Sequence, residues 1–193
     1  MGRNKNFIED QVLDKAIELF QLQGYRTTTP EELVEYLGIS RSSIYATFGD
    51  KRGLLVKALN RYRQLTRDSL KKIVKENTNP INGIEKIFEL SVAGCFHPGM
   101  PSGCFMVNSI IEFGPEDGET LQIVRESYED CRNALFHFVR MAKKNKASLK
   151  KLDASITTNY LMNTISGIVV SAKVGMDEQA CRRLVAQTLS VFK

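Results

Sequence analysis

The chain contains no tryptophan, two histidines and four cysteines in 193 residues. Cys95, Cys104, Cys131 and Cys181 make no C-x-x-C pair, and His97 and His137 stand apart, so no metal site, zinc module or disulfide framework is indicated. Reduced thiols are the default state. No carboxylate pair, phosphate-binding loop or nucleophile with a basic partner occurs in a supporting context, which makes an enzyme the weakest reading and leaves no catalytic residue and no cofactor to name. Long apolar runs are missing too. Without a signal peptide or a stretch long enough to cross a bilayer, the expected location is the cytoplasm, with no membrane partner.

Strand-like alternation, internal repeats and low-complexity linkers are also absent, and what remains is helical periodicity punctuated by glycine and proline. The fold class expected is all-α. Beyond residue 50 the pattern predicts helices over about 50–76, 80–96, 103–113, 116–145, 153–174 and 177–192. NTNP at 77–80 breaks the first of these from the rest, and HPGMPSG at 97–103 reads as a loop, because its prolines and glycines cannot continue a helix. The N-terminal GRNKN reads as a mobile tail. A length of 193 residues suits one compact body or two modest ones.

The most informative stretch is GYRTTTPEELVEYLGISRSSIYATFGDKRGLL, residues 24–55. Thr29 fits an N-cap, Pro30 the first helical position, and Glu32 the reciprocal position of a capping box. Leu33, Val34 and Leu37 recur at helical spacing until Gly38 offers a left-handed stop. Ile39 fills the hinge, Ser40 caps a second helix, and Ile44 and Phe48, four apart, form its inward face. The outward face carries Arg41, Ser42, Ser43 and Tyr45. Short hydroxyls and one arginine near a helix N-terminus allow close approach to DNA, with phosphates as partners of the hydroxyls and amides and guanine as a partner of arginine. Asp50 then caps the next helix, with Lys51 in its first turn.

Ala16, Leu19, Phe20, Gly24, Tyr25, Thr28, Gly38, Ser40, Tyr45, Phe48, Lys51 and Leu54 fall in a spacing that resembles the TetR family of bacterial transcriptional regulators. The likeness covers about the first quarter of the chain closely; the C-terminal half matches in length and helical character. It implies an N-terminal three-helix helix-turn-helix domain, residues 1–50, joined to a larger helical effector-binding and dimerisation domain, residues 51–193. It further implies Thr28 and Thr29 at a phosphate, Arg41, Ser42 and Ser43 on the groove face, and Tyr45 and Lys51 on the DNA backbone. Two positions depart from the family pattern. Thr47 replaces a frequent aromatic or histidine, and Gly53 replaces a common acidic residue, which is expected to loosen the first turn of the long helix by up to about 1 kcal/mol relative to alanine.

Charge is not concentrated on the DNA head: residues 1–60 hold eight acids and eight bases. The net charge of +5 comes from elsewhere, notably Arg61 to Lys75 and Arg140 to Lys151, runs that read as solvated helix faces or loops. The head's acids are expected to point away from DNA.

LMNTISGIVVSAKVG brings Gly167 among Ile165, Ile168 and neighbouring valines, and with Leu184 and Leu189 this reads as the four-helix dimer interface that the resemblance implies. Phe88, Phe96, Cys104, Phe105, Phe113, Tyr128 and Tyr160, together with Met106 and Phe136, are candidates for lining a pocket for an apolar or aromatic small molecule, though aromatics at helical spacing equally serve a core. Cys104 opens a helix after the loop, where a helix N-terminus lowers a thiol's pKa. GCFMVNS resembles the Gly-Cys helix start of a family branch that includes thiol sensors of electrophiles or oxidants. The expected function is a homodimeric repressor that binds double-stranded palindromic operator DNA and is released by a small-molecule effector. The alternatives are thiol sensing through Cys104 and a helical interaction protein that does not bind DNA.

Overall fold

A computed structural model describes residues 7–96, 103–114 and 117–192. Its helices are α1 (Glu9–Gln23), α2 (Pro30–Leu37), α3 (Arg41–Phe48), α4 (Lys51–Glu76), α5 (Pro80–Phe96), α6 (Phe105–Phe113), α7 (Gly118–Asn145), α8 (Ala154–Lys173) and α9 (Glu178–Leu189), with single 3₁₀ turns at Ala147–Leu149 and Ser190–Phe192. No strand occurs among the described residues. The GRNKN tail and nearly all of the HPGMPSG loop lie outside them.

Capping chemistry sets the helix starts. Asp50, Asp117, Asp153 and Asp177 each accept a hydrogen bond from the backbone N–H three residues on, as do Thr29 and Ser40. Each such cap is worth about 1 kcal/mol. The helix expected over 103–113 begins later, at Phe105. Cys104 is its N-cap residue, with extended backbone and no capping bond from its side chain. Similarly, the helix expected over 177–192 ends at Leu189 and tightens into a 3₁₀ turn.

Two apolar cores form. The head core joins Leu19 and Phe20 of α1, Leu33 and Leu37 of α2, and Ile44 and Phe48 of α3 to Leu54, Leu55 and Leu59 of α4. Phe105 and Met106 of α6 and Ile123 of α7 complete it, so the first half of α4 and parts of the body are built into the head. The body core packs Ile84, Ile87 and Phe88 of α5 against Leu135, Phe138 and Val139 of α7 and Leu161 and Ile168 of α8. The expected boundary at residue 50 thus falls between two helices of one core.

Gly83 and Gly53 mark close approaches. A Cβ at Gly83 would lie 2.3 Å from the Phe138 ring, whose burial leaves it no room to move. A Cβ at Gly53 would lie 2.0 Å from the Phe48 carbonyl oxygen. Gly53 is therefore not a loosening departure: the end of α3 presses on the start of α4, and only a residue without Cβ fits there.

Candidate nucleic-acid interface

The α2–α3 unit is built as its sequence suggests. Thr29 and Glu32 form a full capping box, Gly38 ends α2 in the left-handed region (φ 70°, ψ 25°), and Leu33, Leu37, Ile44 and Phe48 are buried. Tyr36 Oη donates to Glu18 at 3.2 Å and ties α2 to α1. At the start of α3, the Ser40 hydroxyl accepts the Ser43 N–H and lies 3.0 and 2.9 Å from the Ser42 and Ser43 hydroxyls. Arg41, Ser42 and Tyr45 are exposed, Ser43 half-buried, and α3 has no acid in its first turn. The Arg41 guanidinium lies 5.8 Å from the Tyr45 ring centre and 3.1 Å from Glu31. Both members of that ion pair are more than half exposed, so the pair is weak and screened by salt, and Arg41 is free to exchange it for another acceptor.

Thr28 and Lys51 sit differently. Thr28 is buried and its hydroxyl donates to the Gly24 carbonyl at 2.6 Å, so that side chain is turned into the head rather than toward a phosphate. Lys51 Nζ donates to the Thr28 carbonyl and lies 4.4 Å from the Tyr25 ring centre. Burial pulls the Lys51 ammonium pKa down, while Glu112 and Glu32 push it back up. Thr29 remains exposed, at the N-terminus of α2.

The head's acids are mostly committed within the protein. Glu9 pairs with Lys57 at 3.1 Å, Asp10 and Asp14 hold the two arms of Arg61 at 2.8 and 3.0 Å, and Asp50 caps α4. These contacts join α1 to α4 or cap the start of α4, while Glu31 is the acid that meets Arg41.

A second group of residues joins the body to this head, and local sequence gave no sign of it. Glu112, on the last turn of α6, accepts the backbone N–H groups of Tyr25 and Arg26 at 3.0 and 2.6 Å. Phe113 stacks on Tyr25 with ring centres 5.0 Å apart, and Tyr25 in turn meets Phe20 at 5.7 Å. Arg52 lies over Phe113 and reaches Asp117 at 2.6 Å and the Thr120 hydroxyl at 3.0 Å. Against the upward push of burial, the Thr120 N–H and the Arg52 guanidinium hold the Asp117 carboxyl below its usual range. The end of α6 is thus clamped to the α1–α2 turn and to the start of α4.

Among the described residues, the expected pocket residues line neither of the two clefts that the body carries. Phe88 and Phe105 are packed in the two cores, Phe113 belongs to the clamp, Phe96 is half-buried against the body core, and Tyr128 and Tyr160 are 42 % and 46 % exposed. Two clefts of about 380 and 320 Å³ open elsewhere, one beside Asn79, Lys146 and Phe192, the other between α4 and α7 over Leu70, Val74 and Ala134. Cys104 is half-buried, with its Sγ 3.7 Å from the Tyr62 hydroxyl. Burial pushes the neighbouring thiols up, Cys95 to about 11 and Cys131 to about 12.

The expected dimer residues also divide. Ile165, Ile168 and Leu189 are buried in the body core of the single chain and leave no surface for a partner. Gly167 and Leu184 are exposed, as are the neighbouring Val170 and Val191, and they share a stripe with Ile156 and Tyr160 on α8 and Val174 just past its end, three residues that the expected interface did not include. The miss was one of helical phase, because apolar residues occupy both faces of α8.

A capped helix pair with an exposed, acid-free face on its second helix, set on a larger helical body, is the arrangement of a helix-turn-helix module. The comparisons with known proteins agree and place it further. The family described as bacterial regulatory proteins, tetR family, matches residues 12–58, and a tetracyclin repressor-like C-terminal domain matches residues 80–188. The chain is 30% identical to the HTH-type transcriptional regulator YezE of Bacillus subtilis over 193 residues, 100% of both chains. It is 26% identical to the HTH-type transcriptional repressor ComR of Escherichia coli, covering 99% of this chain and 91% of that one. Among solved structures, a cysteine mutant of the TetR family regulator CifR complexed with 26 bp double-strand operator DNA superposes with a TM-score of 0.84 at 22% identity, over 99% of this chain and 100% of that one. The chain belongs to the tetR family.

Proposed function

We propose that this regulator is a homodimeric repressor in which residues 1–50 read a palindromic operator and residues 51–193 dimerise and receive an effector. The observation that carries the reading is the face of α3: Arg41, Ser42 and Tyr45 stand exposed and Ser43 partly so, on a helix fixed from behind by Ile44 and Phe48. Arg41, Ser42 and Ser43 enter the major groove, while Thr29, Tyr45 and Lys51 position the head on phosphates. At Thr28, the inward hydroxyl supports the turn that holds Lys51. Names of similar proteins, ComR as a repressor and CifR with operator DNA, support the same role.

One head binds weakly and without a fixed half-site, so two are needed, about 34 to 36 Å or a multiple of that apart. The exposed α8 stripe supplies the surface. Within one chain a Cβ at Gly167 would meet nothing within 4 Å, so nothing in the monomer calls for glycine there, whereas close helix approach from a second copy does. An effector in the body shifts the spacing of the heads through the clamp at Glu112, because movement of α6 pulls directly on the backbone of Tyr25 and Arg26.

Selection of bound sequences from a random DNA pool with the reduced protein tests this. Enrichment of a palindrome supports it, and no enrichment from a folded dimer turns the reading toward a helical interaction protein. The contact between Tyr62 and Cys104 favours a second reading of the input, in which modification of Cys104 is the effector event. Release of DNA by a thiol reagent from wild type and from a Cys104→Ser protein alike would sink it.

A further inference from the structure

We propose that the end of the body farthest from the head is a second nucleic-acid surface, which holds the phosphate backbone of duplex DNA without reading its sequence. α4 and α7 run in the same direction. Arg52 meets Asp117 and Thr120 near their starts, and Arg63 and Arg67 meet Asp130 midway. Their last turns therefore come together away from α3. There Thr78 and Asn79, just past α4, share a cleft with Asn145 and Lys146 at the end of α7.

That end carries the charge that the head lacks. Residues 71–76 and 140–152 hold nine bases against one acid, Glu76, an excess larger than the net +5 of the whole chain. Lys71 lies 3.8 Å from Asp68 in a pair that is about three-fifths exposed on both sides, and Lys146 donates to the Phe192 carbonyl. Lys72, Lys75, Lys143, Lys144, Lys150 and Lys151 enter no ion pair among the described residues. A few cations at a helix C-terminus offset its macrodipole. Lys150 and Lys151 stand beyond any α-helix, however, and the number of bases exceeds what two helix ends require.

The chemistry of the patch selects its partner. Its cations are exposed or half-exposed, and no buried polar side chain stands among the described residues of 71–76 and 140–152 to hold a small anion, so the patch suits an extended polyanion. No large exposed apolar side chain occurs within residues 71–76 or 140–152 to enter a bilayer or stack on unpaired bases. Duplex DNA, a rigid array of phosphates, is bound by charge alone through release of counterions. A dimer seated on one duplex by its heads would present two such ends to a second segment.

The test uses the full-length protein and a labelled duplex of random sequence, with affinity read by anisotropy from about 50 mM to about 200 mM salt. A Lys143→Glu/Lys144→Glu/Lys150→Glu/Lys151→Glu protein, with a Gln version as a milder second variant, is compared with an Arg41→Ala/Tyr45→Phe head variant; thermal melts establish that each is folded. The expected result is a loss of at least about tenfold at low salt for the far-end variants, with the slope of log affinity on log salt reduced by about 3 to 4. The head variant, which gives up one cation and one hydroxyl contact to phosphate, is expected to lose less affinity for random duplex than the far-end variants, with the slope reduced by no more than about 1. Unchanged affinity and slope in both far-end variants would overturn the proposal. So would salt-sensitive binding to phosphatidylcholine–phosphatidylserine vesicles that exceeds binding to the duplex.

Discussion

In the head, Glu9, Asp10, Asp14, Glu32 and Asp50 all meet partners within the protein, as pairs with α4 or as caps, and the surface left to α3 is small, polar and positioned. At the far end of the body the arrangement is reversed: Lys72, Lys75, Lys144, Lys150 and Lys151 are exposed and enter no ion pair among the described residues. The two regions thus suit two kinds of recognition. Fixed hydroxyls, amides and one arginine discriminate between sequences, whereas unpaired charge attracts any polyanion and fades as salt rises.

The comparison breaks most completely if the stripe on α8 is disabled. A Val170→Asp/Val174→Asp protein is expected to sediment as a monomer and to lose about 100-fold or more affinity for a palindromic duplex, because the second head no longer binds as part of the same particle. A stable dimer from that variant would remove the stripe from the account. Next in size are the glycines. Gly53→Ala and Gly83→Ala each improve helix propensity, yet each is expected to lower stability by about 1–3 kcal/mol, since the added methyl meets a carbonyl in one case and a buried ring in the other. Chemical denaturation measures both, and Gly53→Ala should also lose DNA binding because relief of the contact turns α3.

Glu112→Ala separates head from body more gently. Two amides lose their acceptor, at a cost of about 1–3 kcal/mol. Hydrogen exchange at Tyr25 and Arg26 is expected to rise sharply while the body helices stay protected, and unchanged exchange there would show that the clamp carries nothing. The smallest effect is on pH. Asp117 has a folded-state pKa below its unfolded value, so its pairing stabilises the protein above the unfolded value of about 4 and is lost as pH falls through the lower folded one. An Asp117→Asn protein should therefore be less stable at neutral pH and show a flatter acid limb in thermal melts.

Much of the head was legible in the sequence because its signals are local. Thr29, Pro30 and Glu32 specify one helix start, Gly38 its end, and Ser40 the next start, all within a few residues of what they control. The body gave its helices but not its contacts. Glu112 and the turn it holds are more than 80 residues apart, and no short-range pattern marks such a pair. Gly53 misled for the same reason: propensity describes an isolated helix, while the Phe48 carbonyl belongs to the helix before it. On α8, apolar residues on both faces concealed which of Ile165, Gly167 and Ile168 points outward. Cys104 stands at the start of α6, as its place after the loop suggests, but its Tyr62 partner lies on another helix.

The central claim is that the exposed face of α3 discriminates between DNA sequences. The most direct measurement is the ratio of affinities for a selected operator and a scrambled duplex, taken for wild type and for Arg41→Ala at the same salt. The ratio is expected to fall about 5- to 150-fold in the variant, the equivalent of about 1–3 kcal/mol of base discrimination. Equal losses on both duplexes, leaving the ratio unchanged, would contradict it and reduce Arg41 to a phosphate contact.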